Sequence, residues 1–412
     1  MLTATDKKFD INKIREEFPI LNQDIQGKPL IYFDNAATTQ KPKSVIDALS
    51  NYYLKINSNV HRGAHTLAER ATDAFEQTRK AAQKFINSPS EEQVIFTRGT
   101  TESINLVAQS YGRMVLKEGD EIIISSLEHH SNIVPWQIVA SQTGAKIKVI
   151  PVFDNGELDM EGYKNLLSEK TKIVAVVHVS NALGTINPIK EIVQKAHEVG
   201  AKVVVDGAQA SPHLEIDVQD LDVDFYALSG HKVYAPTGIG LLYGKKELLE
   251  AMPPYMGGGE MIKDVSFDVS TYNVLPYKFE AGTPNIADTV ALRLAFEFVN
   301  NLTKSDIIAH EQMLLDYGTK QLSAIKGLKI IGTAKEKASV ISFIVDGVHH
   351  YDMGLMLDAN GIAIRTGHHC TQPLMKRMNL EGTARASFAL YNTKEEIDTF
   401  AETLEMVIER LR

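Results

Sequence analysis

The sequence predicts an α/β fold with a mostly parallel, seven-stranded sheet, because short apolar segments rich in β-branched residues alternate with longer amphipathic segments. The predicted strands are Gln93–Thr97, Glu121–Ser125, Lys146–Pro151, Lys172–His178, Lys202–Asp206, Asp224–Ser229 and Gly238–Tyr243. The helices predicted between them are Thr101–Arg113, Ile133–Thr143 and Ile189–Val199. Ligands of such sheets bind beyond the carboxyl ends of the strands. Polar residues that follow strands are therefore the first candidates for a functional site.

The pattern changes to α+β near residue 292, which predicts a second, smaller domain. Its predicted strands and helices, with the helix that leads into it, are Ile286–Asn300, Ser305–Ala324, Ser339–Val345, Asp352–Asn360, Ala384–Leu390 and Lys394–Leu411. We therefore divide the chain into a large domain at residues 26–291 and a small domain at residues 292–412. Residues 1–25 are expected to form a segment that packs with the small domain.

Composition excludes several classes of protein. The 412 residues carry a net charge of -9 with no long basic run, which argues against nucleic acid or anionic membrane as a partner. No apolar segment approaches the roughly 20 residues that span a bilayer, so we expect a cytoplasmic protein. One cysteine excludes intramolecular disulfides and multi-cysteine metal sites, and with no HExxH motif we expect no metal. The glycines near Gly244 lack P-loop spacing.

Two predicted strands end in charged residues that suit a common site. Asp206 follows three valines, and a buried carboxylate there needs a cationic partner such as a protonated pyridine nitrogen. The alternative is a helix-capping or core-edge aspartate paired to an arginine. Lys232 follows the strand that ends at Ser229, and desolvation would favour the neutral amine that attacks an aldehyde. The alternative is an ordinary surface lysine.

A phosphate site is predicted where Thr97-Arg-Gly-Thr-Thr-Glu102 opens a helix, because its backbone N–H groups are free and Thr100 and Thr101 add hydroxyls. Ser229 and His231 could complete this site, although the segment is also typical of a well-capped helix. His129 follows an apolar strand, and its ring is suited to stacking on a flat cofactor. For its neighbour His130, a structural hydrogen-bonding role is the alternative.

The only cysteine, Cys370, lies in a polar loop with two histidines, Ile364-Arg-Thr-Gly-His-His-Cys-Thr371. The imidazoles can accept the thiol proton and Arg365 can favour the thiolate, so we interpret Cys370 as a nucleophile. A buried, inert cysteine is the alternative. Arg385 lies in an apolar strand and suits bidentate binding of a substrate carboxylate, or else a structural salt bridge.

Together these segments resemble the SufS-type (group II) cysteine desulfurases. The resemblance runs from Phe18-Pro-Ile to Tyr391-Asn-Thr, and the His-His-Cys loop is unlike the serine-rich loop of the IscS/NifS group. The motifs that carry it, in order, are Arg98-Gly-Thr-Thr-Glu-Ser-Ile-Asn105, Glu128-His-His-Ser-Asn-Ile-Val-Pro-Trp136, His178-Val-Ser-Asn181-Ala-Leu-Gly, Asp206-Gly-Ala-Gln209, Ser229-Gly-His-Lys232 and Arg365-Thr-Gly-His-His-Cys370.

The resemblance implies a class-V aminotransferase-like, fold-type-I enzyme that uses pyridoxal 5'-phosphate (PLP), with active sites at the interface of a homodimer. It implies that Lys232 forms the Schiff base with the cofactor and moves protons, and that Cys370 attacks the substrate sulfur. The other implied roles are ring stacking by His129, contacts to the ring by Asp206 and Gln209, phosphate binding by Thr100, Thr101, Ser229, His231 and the other subunit's Thr283, substrate binding by Asn181, Arg365 and Arg385, and a position near the thiol for His61, from the partner subunit.

The implied reaction converts L-cysteine to L-alanine and leaves a persulfide on Cys370, which supplies sulfur for iron–sulfur cluster assembly. A SufE-type or SufU-type protein would accept the sulfur, and Val348-His-His-Tyr-Asp352 resembles the SufU-dependent pattern, with a solvated turn as the alternative. Selenocysteine lyase is the nearest rival activity. A catalytically inactive sulfur carrier or scaffold would be expected to lose Lys232, Asp206 or Cys370, and an aminotransferase would not need the thiol loop.

Overall fold

A computed structural model describes residues 9–412, and its central element is a sheet of seven strands. The strands are β1 (Val94–Thr97), β2 (Glu121–Ser125), β3 (Lys146–Ile150), β4 (Thr171–Val177), β5 (Lys202–Asp206), β6 (Phe225–Ser229) and β7 (Gly240–Gly244). Their order across the sheet is β1-β7-β6-β5-β4-β2-β3. Only β7 runs antiparallel to its two neighbours, so the predicted mostly parallel, seven-stranded sheet is confirmed.

All strands of this sheet except the edge strand β3 are buried on both faces, which explains why they are nearly continuous apolar runs. Successive side chains of a strand point to opposite faces. In β5, Val203 and Val205 pack into one core cluster while Val204 packs into the cluster on the other face. The two clusters fix the register of each strand, since a slip of one residue would exchange the faces of every side chain.

Helices cover both faces and connect the strands. They are Ile11–Glu16, Lys43–Asn51, Thr66–Phe85, Thr100–Val107, Arg113–Val115, Val134–Thr143, Met160–Leu166, Ile189–Glu198, Ala210–His213, Lys246–Ala251, Ile286–Asn301, Lys304–Ser323, His350–Asp358, Gln372–Arg377 and Lys394–Leu411. Tyr52–Ile56 and Ala108–Gly112 are π-helical. Within residues 9–412, no helix combines the length and the apolar character needed to cross a membrane.

A second sheet of four antiparallel strands forms the C-terminal part: β8 (Leu328–Ile331), β9 (Val340–Val345), β10 (Arg365–Gly367) and β11 (Thr383–Ser387). It has its own core cluster, in which Phe343 and Phe388 lie fully buried with Phe400 of the last helix. The boundary predicted at residue 292 falls inside the helix Ile286–Asn301, so the division into domains stays a prediction.

The N-terminal segment crosses to the C-terminal part of the chain and pairs with it at two places. Ile31–Tyr32 forms a parallel pair with Ile362–Ala363, and Asp34 forms a bridge with Ser387. These pairings place the Asp34 carboxylate among the polar residues of the C-terminal sheet. Local patterns did not predict this contact, because its partners lie far apart in the chain. The hydrogen bonds from Arg385 to Asp34 and from Ser387 to Phe33 join residues that are 351 and 354 positions apart.

Most predicted elements exist with ends shifted by one to three residues, and a few elements differ in kind. The predicted helix Thr101–Arg113 is interrupted by the π-helical segment Ala108–Gly112. The predicted strand Ala384–Leu390 ends at Ser387, where the backbone leaves the ladder and Asn392 accepts a hydrogen bond from the N–H of Ala389. Local patterns did not predict β8, β10 or an exposed hairpin formed by Ile262–Val265 and Ser270–Tyr272.

Candidate active site

A cavity of about 420 Å³ lies at the carboxyl ends of the central strands, where the second sheet packs against the first. It brings together every site residue predicted from the sequence except His61 and Thr283. The predicted residues that line it are Thr100, Thr101, His129, Asn181, Asp206, Gln209, Ser229, His231, Lys232, Arg365, Cys370 and Arg385. Residues that end or follow five central strands (β1, β2, β4, β5 and β6), the Cys370 loop, β10 and β11 therefore face one cavity.

Asp206 ends β5 as a carboxylate that is 2% exposed. Among the described residues, its Oδ1 accepts one hydrogen bond, 3.0 Å long, from the N–H of Ala208. Burial raises the pKa of Asp206 above its ordinary value, while the N–H of Ala208 and the charge of Lys232 oppose that change. A buried carboxylate with so few donors is suited to a cationic N–H group that enters from the cavity.

Lys232 ends the short 3-10 turn Gly230–Lys232, directly after β6. Its Nζ donates a hydrogen bond of 3.2 Å to Oε1 of Gln209. Burial lowers the pKa of Lys232 to about 8, with Asp206 opposing this effect and Arg385 adding to it. A substantial fraction of the amine is therefore neutral near pH 7 to 8, which is the form that attacks an aldehyde.

The segment predicted to bind phosphate lies at the edge of the same cavity. Gly99, at φ 141°, precedes the helix Thr100–Val107, which has no side-chain cap. Ser229 Oγ lies 2.9 Å from both the backbone N and Oγ1 of Thr100. A Cβ atom on Gly99 would lie 3.1 Å from Ser229 Oγ, so a side chain there would crowd this contact. The uncapped N–H groups and the hydroxyls form a site for an anion.

Two histidines of this cavity, His129 and His231, have surroundings that favour the neutral form. Nδ1 of His129 accepts a hydrogen bond of 3.1 Å from the N–H of Ser131. Burial, with added repulsion from Lys232, lowers the pKa of His129 to about 4. Burial and then the charges of Lys232 and Lys41 lower the pKa of His231 to about 4 as well. Both rings can therefore contact a ligand without adding positive charge to the cavity.

Two arginines lie opposite each other on neighbouring strands, and one carboxylate lies between them. Arg365 on β10 pairs in register with Arg385 on β11. Asp34 lies 3.2 Å from Nη2 of Arg385 and 3.5 Å from Nη1 of Arg365. Arg385 is 2% exposed, and its Nε has no hydrogen-bond partner among residues 9–412. The excess positive charge and the free N–H fit the carboxylate of an amino acid.

Cys370 is exposed and lies in a loop with unusual backbone geometry. His369 and Cys370 adopt φ values of 51° and 57°, in the left-handed region that costs non-glycine residues energy. Contacts on both sides hold this conformation. Nδ2 of Asn181 donates a hydrogen bond of 2.8 Å to the carbonyl of His369. The N–H of His130 donates a hydrogen bond of 2.9 Å to the carbonyl of Cys370.

His130 contacts this loop a second time through its side chain. Its Nε2 accepts a hydrogen bond of 3.1 Å from the N–H of Gln372, the first residue of the helix Gln372–Arg377. This N–H would otherwise lack a partner within the helix. His130 therefore fixes the backbone at two points. One is Cys370, which carries the thiol, and the other is Gln372, where the next helix begins.

The two histidines before Cys370 differ in their surroundings. His369 is buried, and its Nε2 lies 2.7 Å from Oγ1 of Thr383. Burial lowers the pKa of His369 to about 2, so it is a poor base for the thiol proton. Of the two imidazoles expected to accept the thiol proton, only that of His368 therefore remains a candidate. The centroid of its ring lies 6.1 Å from that of the His130 ring.

His61 and Thr283 do not line this cavity of their own chain. Nε2 of His61 lies 2.9 Å from Oε1 of Glu76. Thr283 lines a second cavity of about 500 Å³, with Arg98 and Glu280. The predicted roles of both residues involve a partner subunit, and they stay predictions.

Several residues of the site were not singled out from the sequence. Asp34 and the alanines that follow it line the cavity or contact its arginines. Glu128 is 1% exposed and accepts hydrogen bonds from Asn132 and the N–H of Val177. Burial raises the pKa of Glu128 to about 8. Glu128 lies in the polar segment at residues 126–131 that follows β2, so no local pattern distinguished it from its neighbours.

These residues fit the predicted cofactor, PLP. The buried Asp206 suits its pyridine nitrogen, the uncapped helix at Thr100 suits its phosphate, and the partly neutral amine of Lys232 suits its aldehyde. His129 and Gln209 line the space between these three positions.

Comparisons with known proteins agree with this geometry. A family model, aminotransferase class-V, matches residues 31–400. The chain is 52% identical to a probable cysteine desulfurase of Halalkalibacterium halodurans, over 96% of this chain and 98% of the relative. It is 54% identical over 97% of its length to a cysteine desulfurase of Synechococcus elongatus. The crystal structure of the Escherichia coli cysteine desulfurase CsdA (S-sulfonic acid) aligns with a TM-score of 0.92 and 41% identity, covering 98% of this chain and 100% of that one.

The chain therefore belongs to the aminotransferase class-V family. The members that it matches over nearly their whole length are cysteine desulfurases, and it belongs with that branch of the family. The chain spans only 64% of the length of the Synechococcus elongatus relative. It likewise spans 66% and 58% of the lengths of relatives from Mycobacterium leprae and Mycolicibacterium paratuberculosis. The predicted family, fold and cofactor are confirmed, whereas the SufS-type assignment stays a prediction.

We predict that His130→Ala loosens the Cys370 loop. Loss of the Nε2 acceptor leaves the N–H of Gln372 without its partner, so its amide hydrogen exchange should accelerate by roughly 5- to 10-fold, the value of one net hydrogen bond. His349→Ala is the matched control, because His349 caps a different helix. Unchanged exchange at Gln372 in His130→Ala would contradict this role.

The same contact predicts a pH dependence in the wild-type protein. Burial, with added repulsion from His368, lowers the pKa of His130. Only neutral Nε2 accepts the hydrogen bond, so protection of Gln372 should be complete above the ordinary histidine pKa of about 6.5 and be lost as the pH falls through the lowered value. Exchange corrected for its intrinsic pH dependence measures this loss, which should be absent in His130→Ala.

Proposed function

We propose that this protein is a cysteine desulfurase that converts L-cysteine to L-alanine and retains the sulfur as a persulfide on Cys370. One observation carries the proposal. The thiol loop, the amine of Lys232, the carboxylate of Asp206 and the guanidinium of Arg385 all line a single cavity. An aminotransferase would need the last three groups but has no use for the thiol.

Bound PLP would supply an electron sink, because its protonated ring withdraws electrons from the substrate carbon atoms. Asp206, as a buried carboxylate, would favour the protonated form of the ring nitrogen. Lys232, with its lowered pKa, takes and returns protons next to the substrate. Arg385 and Asn181 bind the substrate carboxylate and so aim its sulfur toward the Cys370 loop.

The atoms and electrons of the sulfur transfer balance without an added oxidant or reductant. The thiolate of Cys370 attacks the substrate sulfur, so that an S–S bond forms while the substrate's C–S bond breaks. The electron pair of the broken bond stays on the substrate carbon and takes up a proton, which gives alanine. Attack of this kind requires the two reacting atoms to approach within about 3–3.5 Å. The hydrogen bonds from Asn181 and His130 fix the backbone of the loop from which the thiol makes this approach.

We also propose that the protein acts as a homodimer with its active sites at the interface. An exposed hairpin and the helix end near residue 53 support this, because they present large apolar side chains to solvent. These side chains are Tyr53, Leu54, Val265, Phe267, Val269, Tyr272 and Val274. The expected contributions of His61 and Thr283 to the partner's site depend on this assembly.

The exposed thiol supports release of the persulfide sulfur to a protein acceptor of the SufE or SufU type, for iron–sulfur cluster assembly. An unpaired cysteine is also typical of the reducing cytoplasm, where we place the enzyme. The His-His-Cys loop supports the SufS-type group. In the segment resembling the SufU-dependent pattern, His349 is exposed and caps the helix His350–Asp358 through Nδ1, so both interpretations of this segment stay predictions.

We predict that Lys232→Ala abolishes the visible absorption band of the purified protein. The variant should still take up PLP through the phosphate and ring contacts, which do not use Nζ, but without a covalent bond. Absorption spectra with and without added PLP measure both properties. A wild-type protein that stays colourless in the presence of PLP would contradict the proposed function.

For Cys370→Ala we predict retained PLP binding and a loss of sulfide release from L-cysteine of at least about 100-fold, since removal of a nucleophile removes the covalent step. The exposed position of Cys370 makes a folding defect unexpected. Full activity of this variant would refute the assigned nucleophile. Turnover of L-selenocysteine by the wild type, with none of L-cysteine even when acceptor is present, would instead favour a selenocysteine lyase.

We predict that Phe267→Asp weakens the dimer, because Phe267 is exposed at the tip of the hairpin and its burial at an interface is worth about 1.5–3 kcal/mol. The dissociation constant from sedimentation equilibrium should rise by about 10-fold or more. Phe153→Asp, at another exposed phenylalanine, is the control. A wild-type protein that is monomeric at all concentrations would contradict the assembly.

A further inference from the structure

One backbone oxygen beside the amine of Lys232 is surrounded by hydrogen-bond donors from the N-terminal segment. It is the carbonyl oxygen of His231, whose peptide bond leads directly into Lys232. The donors are the N–H of Thr39 at 3.2 Å, Oγ1 of Thr38 at 3.1 Å, Oγ1 of Thr39 at 3.2 Å and Nζ of Lys41 at 2.9 Å. A carbonyl oxygen has two lone pairs, so this one segment fills its capacity. The proposed function assigns no role to this contact.

Lys41 is the charged member of this group, and it is half-buried. Its Nζ also donates to the carbonyl of Thr39 and lies 3.4 Å from Oγ1 of Thr38, so its three N–H groups face three oxygens. Within residues 9–412 no carboxylate forms an ion pair with Lys41, and burial lowers its pKa to about 7. A lysine removed from water without a counter-ion costs free energy. Pairing of opposite charges therefore does not explain its position.

The backbone that follows Lys232 is strained, and the same segment holds it. Tyr234 adopts a φ of 65°, in the left-handed region that costs a bulky residue energy. Its N–H donates a hydrogen bond of 3.0 Å to Oγ1 of Thr39. On the inner side of the turn, the carbonyl of Gly230 accepts a hydrogen bond from the N–H of Val233. The turn that carries the amine is therefore held both by its own bonds and by the N-terminal segment.

The segment that contacts this turn also reaches the opposite side of the cavity. Asp34, at its other end, lies 3.2 Å from Nη2 of Arg385. Ala36 and Ala37, between the two ends, line the cavity. Residues 34–41 therefore connect the guanidinium proposed to bind the substrate carboxylate with the turn that carries the amine.

We propose that Lys41 is a positioning residue that sets the direction in which the side chain of Lys232 enters the cavity. It does so by fixing the carbonyl of His231 together with the two neighbouring threonines. Lys41 does not line the cavity, so it acts through the turn and not on a ligand. The proposal rests on the proposed function, in which Lys232 bonds to the cofactor. A fixed attachment point lowers the conformational entropy that this long side chain loses when the bond forms.

The test is a double-mutant cycle in which the dissociation constant of PLP is measured by titration of the protein after its PLP has been removed. Lys41→Met should raise this constant by roughly 5- to 10-fold, the value of one net hydrogen bond. In the Lys232→Ala background the same substitution should change nothing, because the side chain through which Lys41 acts is absent. A rise that persists in that background would show a direct effect of the lost charge on the phosphate. Such a rise would overturn the proposal, as would the absence of any rise.

Lys337→Met is the matched control. Burial lowers the pKa of Lys337 to about 8, and its Nζ donates to the carbonyl of Gly332, outside the cavity. The dissociation constant of PLP should stay unchanged in this variant. An equal rise in both variants would mean that the loss of any buried lysine has this effect, which would contradict the assignment.

Thr38→Val is a milder variant that removes a neutral donor from the same carbonyl and leaves every charge in place. It should raise the dissociation constant of PLP less than Lys41→Met does, and again only when Lys232 is present. A rise that is equal in the Lys232→Ala background would contradict an action through the turn.

Amide hydrogen exchange of the PLP-free protein tests the contact without the cofactor. Lys41→Met should accelerate exchange at the N–H groups of Thr39 and Tyr234 by roughly 5- to 10-fold relative to the amides of the central sheet, and Lys337→Met should not. Unchanged exchange at both amides in Lys41→Met would overturn the proposal. A wild-type protein that forms no visible band with PLP would instead contradict the proposed function, so the two failures are distinguishable.

Discussion

The site depends on one buried positive charge that the chain does not fully neutralise. Arg365 and Arg385 lie opposite each other across β10 and β11, and both contact the single carboxylate of Asp34. Like charges in register destabilise a sheet unless an opposite charge separates them. Asp34 enters from the N-terminal segment, in which Ile31–Tyr32 pairs with Ile362–Ala363 and Asp34 itself forms a bridge with Ser387 of β11. The remaining positive charge lines the cavity, which fits the proposed binding of a substrate carboxylate there.

Arg385 also connects the two sheets through Asn181, and this connection helps to position the loop that carries the thiol. Nη1 of Arg385 donates to the carbonyl of Asn181, and Nδ2 of Asn181 donates to the carbonyl of His369. Asn181 follows β4 of the central sheet, so the Cys370 loop is tied to the elements that position Asp206 and Lys232. His130 adds two further hydrogen bonds after the neighbouring strand β2. The left-handed backbone at His369 and Cys370 persists because contacts on both sides of the loop hold it.

Local pattern predicted the parts of the site that follow strands. Asp206, Ser229 and Lys232 come directly after buried β-branched or apolar runs, and parallel strands bring their carboxyl ends to one edge. Contacts between distant segments could not be predicted in this way. Asp34 meets Arg385 across 351 residues and Glu311 meets His213 across 98, and neither acid lies in a pattern that points to its partner. The sequence also could not separate His368 from His369, because burial beside Thr383 distinguishes them.

The central claim is that Cys370 receives sulfur from a cysteine bound in the cavity that contains Lys232 and Arg385. Mass spectrometry of the peptide that contains Cys370 tests this most directly, after the PLP-loaded enzyme has reacted with L-cysteine in the absence of an acceptor. The account predicts that this peptide gains the mass of one sulfur atom, and that the gain is absent in Lys232→Ala. An unmodified Cys370 in an enzyme that still forms alanine would contradict it.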